Sequence, residues 1–219
     1  MHVDRFFRKW LFLLCSVLLL TLASGTSCAT ETRLLLVVGD SLSAGYGLPN
    51  GKGWVDLLRM RLEQLRAQQT LRVDYTVVNA SISGETTSGG LSRLPQLLRL
   101  HQPAIVLIEL GANDGLRGLS LDMAQANLAH MIETSQQAHA RVVLIGTPLP
   151  ENYGKPYIES FSAIFTRLSH TYHINLAPSL FSRLSVDADN FQADRLHPNV
   201  QAQPMLLEAV WPALQPLLQ

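Results

Sequence analysis

The stretch LLLVVGDSLS, residues 34–43, joins an uninterrupted apolar run directly to a glycine and several polar residues. Apolar residues without polar alternation are typical of a strand that is covered on both faces, as in a parallel sheet. Gly39, Asp40 and Ser41 follow where that strand is expected to end. Because ligands of open parallel sheets bind beyond the carboxyl ends of the strands, this stretch predicts an α/β fold with a site beside Ser41.

The pattern of the first strand recurs along the chain. Short runs rich in β-branched residues alternate with longer segments in which apolar residues recur at helical spacing. The predicted strands are 34–38, 73–78, 105–110 and 142–145, with 174–176 as a weaker fifth. The predicted helices are 54–65, 91–98, 122–138, 156–172 and 201–218. This alternation predicts a three-layer α/β/α fold with a doubly wound, mostly parallel sheet of about five strands.

The amino-terminal residues have a different pattern. Basic residues at positions 5, 8 and 9 precede an apolar run over 10–22, and small residues then lead to Ala29. This order predicts a signal peptide over residues 1–29 and a single domain over residues 30–219. The apolar run is shorter than the roughly 20 residues that span a bilayer, so a permanent anchor is the weaker alternative. We expect a periplasmic or secreted protein with no stable membrane insertion after cleavage.

The composition of the chain argues against several classes of ligand and partner. Cys15 and Cys28 both lie in the predicted leader, and lipidation of Cys28 is a minor alternative because Gly25 stands where leucine is usual. The 17 basic residues balance the 17 acidic ones, which argues against a nucleic-acid partner and favours a small, largely uncharged one. The chain lacks metal-ligand spacing and phosphate-binding glycine motifs. We therefore expect no metal and no cofactor, and a monomer.

A serine nucleophile needs a base to take its proton and donors for the developing oxyanion. Asp194 and His197 are three residues apart, near enough for the carboxylate to orient the imidazole. Each candidate also has an ordinary structural interpretation when it is taken alone. Asp40 or a neighbouring serine could cap a helix, Gly84 could be a turn glycine, Asn113 an Asx-turn residue and Asp194 a surface carboxylate.

Four sequence blocks occur in order, and together they are specific. They are GDSLS at 39–43, VNASISG at 78–84, LGANDGLRG at 110–118 and DRLHP at 194–198. With these blocks the sequence resembles the SGNH or GDSL hydrolases over nearly the whole chain after the leader. It is most similar to the family's bacterial periplasmic thioesterase, protease and lysophospholipase group. The resemblance also implies the flavodoxin-like sheet of that family.

The resemblance implies a role for each matching residue. Ser41 would be the nucleophile, His197 the general base and then the general acid, and Asp194 the group that orients His197. The oxyanion hole would be formed by the backbone N–H groups of Ser41 and Gly84 and by the side-chain amide of Asn113. These roles imply an acyl-enzyme mechanism on esters and thioesters, as in an arylesterase, acyl-CoA thioesterase or lysophospholipase.

The acyl chain is less well determined, because the family also contains carbohydrate deacetylases. The predicted substrate loops carry apolar and aromatic side chains at Tyr46, Leu116, Pro148 and Tyr153. This favours medium or long acyl chains, including those of lysophospholipids, over acetylated sugars. The loop over residues 147–155 contains two prolines and a glycine, and we predict that it forms a partly mobile flap.

Two other classes of protein are alternatives. An ordinary α/β-hydrolase is excluded because the chain has no G-x-S-x-G elbow. A non-enzymatic phosphoacceptor or ligand-binding module would use Asp40 as its working carboxylate. That interpretation leaves His197 and Asn113 without a role.

Overall fold

A computed structural model describes residues 31–184 and 188–218, so the predicted leader lies outside the described residues. The sheet contains β1 Thr32–Gly39, β2 Asp74–Asn79, β3 Ile105–Glu109, β4 Arg141–Ile145 and β5 Asn175–Ala177. The strand order is β2-β1-β3-β4-β5, and all four pairings are parallel. The predicted doubly wound sheet of about five strands is confirmed, with a flavodoxin-like strand order.

Seven α-helices connect or follow the strands within the described part of the chain. They are α1 Ser41–Ala44, α2 Trp54–Ala67, α3 Thr87–His101, α4 Ala112–Leu116, α5 Leu121–Gln137, α6 Lys155–Tyr172 and α7 Gln203–Leu214. Short 3₁₀ helices cover Glu151–Tyr153, Ala188–Asn190, Val200–Ala202 and Gln215–Leu217. The helix predicted over 201–218 is therefore shorter than expected, because 3₁₀ turns flank it on both sides.

The helices form two layers because side chains alternate between the faces of each strand. On β1, Leu35 and Val37 pack in the cluster that contains Trp54 and the apolar face of α7. Leu36 and Val38 pack in the opposite cluster, to which α3, α5 and α6 contribute. Burying one such leucine or valine contributes roughly 1.5–3 kcal/mol to the free energy of unfolding. The sheet is therefore buried on both faces.

The chain winds outward in both directions from β1, which lies between β2 and β3. This arrangement creates a topological switch point, where connections leave to opposite faces and open a crevice. Residues 40–44 and 110–116 enter that crevice from β1 and β3. None of the helices in residues 31–184 and 188–218 is long and apolar enough to cross a membrane.

Candidate active site

Ser41 is the first residue of α1, directly beyond β1. Asp40 caps this helix, since its Oδ1 accepts a hydrogen bond of 3.0 Å from the backbone N–H of Leu42. A side chain at Gly39 would come within 2.9 Å of both Ser43 and Glu109, so glycine is needed for the tight turn out of the strand. The structural interpretation of Asp40 as a helix cap is correct, and the turn leaves Ser41 at the crevice.

His197 belongs to a narrow hairpin-like loop near the end of the chain. Phe191 and Pro198 form an antiparallel bridge, and the backbone N–H of Gln192 donates to the carbonyl of His197 over 2.8 Å. Within this loop Arg195 adopts a left-handed conformation, with φ of 56°. The resulting turn lets the backbone N–H groups of Leu196 and His197 both donate to Asp194 Oδ1, at 2.9 and 3.0 Å.

The imidazole of His197 connects Asp194 to Ser41. Its Nδ1 lies 2.7 Å from Asp194 Oδ2, and its Nε2 lies 2.8 Å from Ser41 Oγ. With the ring proton on Nδ1 donated to the carboxylate, Nε2 can accept the hydroxyl proton of Ser41. Both distances are within the range required for direct proton transfer. The three side chains predicted to form a triad are thus adjacent, and hydrogen bonds join them in the expected order, from Asp194 through His197 to Ser41.

The loop keeps Asp194 ionised. Partial burial by itself raises the pKa of this carboxyl. The hydrogen bonds from the amides of His197 and Leu196, together with the imidazole, outweigh that effect and lower the pKa to about 2. Asp194 therefore carries its negative charge throughout the neutral range, as a group that orients an imidazole must.

The three predicted oxyanion donors line one cavity. Ser41, Gly84 and Asn113 all border it, as do Asp40 and His197. One N–H of the Asn113 amide donates to Asp40 Oδ2 over 3.0 Å, which fixes the orientation of the amide plane. Gly84 has φ of 79°, a conformation that favours glycine. The three residues predicted to supply oxyanion donors therefore border the same cavity as the Ser41 side chain.

The cavity has a volume of about 270 Å³, near the lower end of the range typical of small-molecule sites. Of the residues predicted to contact substrate, Tyr46, Leu116 and Pro148 line it. Tyr153 lies outside the lining, and its hydroxyl donates to the carbonyl of Leu116 over 2.7 Å. Phe181 and Leu196 also line the cavity and were not anticipated from the sequence. These side chains give the cavity an apolar wall.

Glu109 is a further buried group that the sequence reasoning missed. It is 0% exposed at the end of β3, beneath the crevice. It accepts hydrogen bonds from the hydroxyls of Ser43 and Thr147, at 2.7 and 2.9 Å, and a longer one from the backbone N–H of Asp40 at 3.4 Å. The acid thus joins the end of β3 to the segments that follow β1 and β4. Its signal in the sequence was a single carboxylate inside an apolar strand.

Burial shifts the pKa of both carboxyls under the site. Desolvation raises the pKa of Glu109 well above its ordinary value, and the nearby charge of Asp40 adds to the rise. Asp40 is 1% exposed, and desolvation raises its pKa to about 6 although Leu42 and Asn113 donate to it. Because both oxygens of Asp40 accept internal hydrogen bonds, this carboxylate acts within the fold and not as a phosphoacceptor.

A further buried carboxylate, that of Asp114, connects the two segments that carry Gly84 and Asn113. Asp114 accepts from the backbone N–H of Thr87 at 2.9 Å and from its hydroxyl at 2.6 Å. Thr87 begins α3 shortly after Gly84, and Asp114 follows Asn113 in α4. The hydroxyl of Thr87 also accepts from the Asn127 amide at 3.0 Å. The candidate oxyanion donors are therefore cross-linked to one another.

The described residues contain no group of three His, Cys, Asp or Glu side chains that could hold a metal ion. At the switch point of this parallel sheet, an aspartate, a histidine and a serine are joined in that order by hydrogen bonds. This arrangement defines a serine hydrolase. The family model of the GDSL-like lipases and acylhydrolases matches residues 37–203, more than half of the chain. The chain belongs to this family, and it is a serine hydrolase of the SGNH type.

Similar proteins span nearly the same length. Esterase TesA of Pseudomonas aeruginosa is 48% identical over 85% of this chain and 90% of its own. Thioesterase 1/protease 1/lysophospholipase L1 of Escherichia coli K12 is 39% identical over 92% and 91%. The solved structure of the psychrotrophic esterase EstA from Pseudoalteromonas sp., inhibited by monoethylphosphonate, is 40% identical with a TM-score of 0.76, covering 84% of this chain and 97% of EstA.

Proposed function

We propose that this enzyme hydrolyses ester and thioester bonds of medium- and long-chain acyl substrates through an acyl-enzyme on Ser41. The observation that carries the proposal is the hydrogen-bonded chain from Asp194 through His197 to Ser41, with contacts of 2.7 and 2.8 Å. A serine hydroxyl gains its nucleophilicity from such a base. The names of the relatives, an esterase and a thioesterase with lysophospholipase activity, support the same chemistry.

In the proposed first step, Ser41 Oγ attacks the carbonyl carbon while His197 Nε2 takes the hydroxyl proton. The carbonyl oxygen becomes negative and accepts hydrogen bonds from the N–H groups of Ser41, Gly84 and Asn113. The imidazolium then gives its proton to the leaving alcohol or thiol, and an acyl-enzyme remains. Water, deprotonated by the same imidazole, attacks the acyl-enzyme and releases the fatty acid and the free serine.

The proposed acyl preference rests on the cavity. Its lining includes Leu116, Pro148 and Phe181, which suit an alkyl chain and offer few partners for sugar hydroxyls. Since the volume is about 270 Å³, the far end of a long chain would extend out along the surface. A carbohydrate deacetylase of the same family, the alternative considered from the sequence, would need polar groups in place of this wall.

We further propose that residues 1–29 are a cleaved signal peptide, that residues 30–219 form one hydrolase domain, and that this domain acts as a monomer in the periplasm or outside the cell. The leader pattern of basic, apolar and small residues supports export. An exported hydrolase meets membrane lipids more often than acyl-CoA, which favours lysophospholipids as substrates. This choice rests on location and not on the site residues.

The test is hydrolysis of p-nitrophenyl esters from acetate to palmitate by residues 30–219, with a lysophospholipid, an acyl-CoA and an acetylated xylose beside them. We expect kcat/KM to rise from acetate to hexanoate or longer and both lipid substrates to be cleaved. Cleavage of acetyl esters alone, with the acetylated sugar as the best substrate, would contradict the acyl-chain proposal and favour the deacetylase.

A further inference from the structure

The proposed nucleophile and base lie on segments that are 156 residues apart in the chain. Ser41 is held by α1, and His197 by the hairpin-like loop that starts at Phe191. A single contact of 2.8 Å joins their functional atoms, and it must open and close during the reaction. The alignment of the two side chains therefore depends on other contacts between the two segments.

Gln192 makes such contacts with its side-chain amide. Its Nε2 donates one hydrogen bond to the carbonyl of Tyr46 at 2.8 Å and another to the carbonyl of Pro198 at 3.2 Å. A primary amide has two N–H groups, so both are used, one on each segment. The backbone N–H of Gln192 also donates to the carbonyl of His197. One residue thus connects the loop after Ser41 to the backbone carbonyls of His197 and Pro198.

The neighbouring backbone leaves room for this amide. A methyl group added at Gly47 would overlap the Gln192 amide oxygen. Gly47 also has φ of 71°, a conformation that most side chains avoid. The absence of a side chain at position 47 therefore provides the recess in which the Gln192 amide lies.

The aromatic ring of Tyr46 lies beside the imidazole of His197. The ring of Tyr46 lies 4.7 Å from the ring of His197, at an angle of 45° between the planes. Tyr46 is 53% exposed, so burial alone does not fix the position of its ring. The hydrogen bond from Gln192 anchors the backbone of Tyr46, and the Tyr46 ring then restricts rotation of the imidazole.

We infer that Gln192 is a positioning residue, which keeps His197 Nε2 directed at Ser41 by holding the Tyr46 ring and the histidine loop together. The inference deepens the proposed function and rests on it. Gln192 does not contact the reacting atoms and does not itself line the cavity, so it acts through Tyr46 and His197, both of which line it. The carbonyl of Tyr46 needs a donor, which a side chain of similar length without N–H groups cannot supply. The carbonyl of Pro198 also accepts a hydrogen bond from Gln203 Nε2 at 3.2 Å, so the Tyr46 contact is the one that depends on Gln192.

The first test replaces the amide by a thioether of similar length in Gln192→Met, with Gln137→Met at the exposed end of α5 as the matched control. The value of kcat is measured with p-nitrophenyl hexanoate. It is divided by the concentration of active sites, which is taken from the initial burst of nitrophenolate that a phosphonate inhibitor abolishes. Loss of alignment is expected to lower kcat by roughly 10- to 100-fold with KM little changed. The control should keep kcat, because Gln137 lies far from the loops.

The second test is a double-mutant cycle with Gly47→Ala. In the wild-type background the added methyl displaces the Gln192 amide, so kcat should fall. In the Gln192→Ala background no amide remains to be displaced. Only the backbone strain of alanine at φ of 71° persists there, so the same change should lower kcat by a smaller factor. Non-additivity of this kind is the signature of two residues that act through one contact.

The inference is overturned if Gln192→Met lowers the melting temperature but leaves kcat per titrated site equal to that of the control. It is also overturned if Gly47→Ala lowers kcat equally in both backgrounds. Failure of the proposed function is recognised separately, because Ser41→Ala would then retain activity whatever the behaviour of the Gln192 variants.

Discussion

At the scale of single residues, the Asn113 amide has two N–H groups, and the proposed function gives each a different partner. One N–H of its amide is committed to Asp40, at 3.0 Å, and the amide also borders the cavity that holds Ser41. The N–H donated to Asp40 satisfies a buried carboxylate, and the second N–H is the one that we propose for the oxyanion. Substitution at this position should therefore affect stability and catalysis through different bonds.

We predict that Asn113→Ala lowers kcat by roughly 100- to 1000-fold, the usual cost of losing one oxyanion donor. It should also lower the free energy of unfolding by about 1–3 kcal/mol, since Asp40 loses a donor. Steady-state kinetics and chemical denaturation measure the two effects, with the exposed Asn50→Ala as control. A variant that is destabilised but keeps kcat within a few-fold would limit Asn113 to supporting Asp40.

Sequence reasoning at this scale found residues inside compact motifs and missed residues whose partners are distant. The sequence blocks at 39–43 and 194–198 made Ser41, Asp194 and His197 recognisable, and the structure brings these three residues together. Glu109 contacts Ser43, 66 residues away, and Gln192 contacts Tyr46, 146 residues away. Such pairs exist only after the sheet has formed, so local spacing gives no signal for them.

At the scale of elements, the strands were predictable because their interiors are apolar, but their ends were not. β1 extends from Thr32 to Gly39, beyond the predicted 34–38, since backbone pairing in a parallel sheet continues past the apolar run. β3 ends at Glu109, one residue before its predicted end. The helices α1 and α4 were missed because four or five residues are too few to show helical periodicity. Both short helices carry predicted site residues.

The cross-link between α3 and α4 gives a prediction for these elements. Thr87→Val keeps the shape of a fully buried side chain but removes the hydroxyl that Asp114 accepts from at 2.6 Å. We expect a loss of about 1–3 kcal/mol in the free energy of unfolding. Because Gly84 and Asn113 lie on the joined segments, kcat should fall more than KM rises.

The matched control for Thr87→Val is Thr134→Val on α5, whose hydroxyl makes an exposed bond to the carbonyl of His130. Its effect should stay within about 0.5 kcal/mol. Equal losses at the two positions, measured by urea denaturation, would mean that the Asp114 contact contributes nothing beyond an ordinary helix hydroxyl.

At the scale of the whole molecule, the two buried carboxyls under the site couple stability to pH. Desolvation raises the pKa of Asp40 from 3.8 to about 6 and raises that of Glu109 as well. In that window the folded state binds more protons than the unfolded state, so stability falls as pH rises. The fold thus gives up some stability at neutral pH in order to keep these acids beneath the crevice.

Glu109→Gln should remove part of this penalty, because the amide has a similar shape and can still pair with the hydroxyls of Ser43 and Thr147. We predict a melting temperature at pH 8 that is higher than that of the wild type by about 2–4 °C, the shift expected for about 1 kcal/mol in a chain of this size. The gain should disappear at pH 4. Thermal unfolding, monitored by circular dichroism, measures the melting temperature at each pH.

The exposed Glu63→Gln on α2 serves as control for Glu109→Gln, and it should change neither melting temperature. If Glu109→Gln instead destabilised the protein equally at pH 4 and pH 8, its carboxyl would matter through hydrogen-bond geometry alone, and the pH coupling assigned to it would be wrong.

The central claim is that Ser41 is the nucleophile and His197 its base. The most direct measurement is the pre-steady-state time course of p-nitrophenyl hexanoate hydrolysis by the wild type, Ser41→Ala and His197→Ala. We predict a burst of one nitrophenolate per active site in the wild type, and a fall in kcat of roughly 10⁴-fold or more in both variants, with melting temperatures near the wild-type value. A folded Ser41→Ala variant that retained the burst would contradict the account.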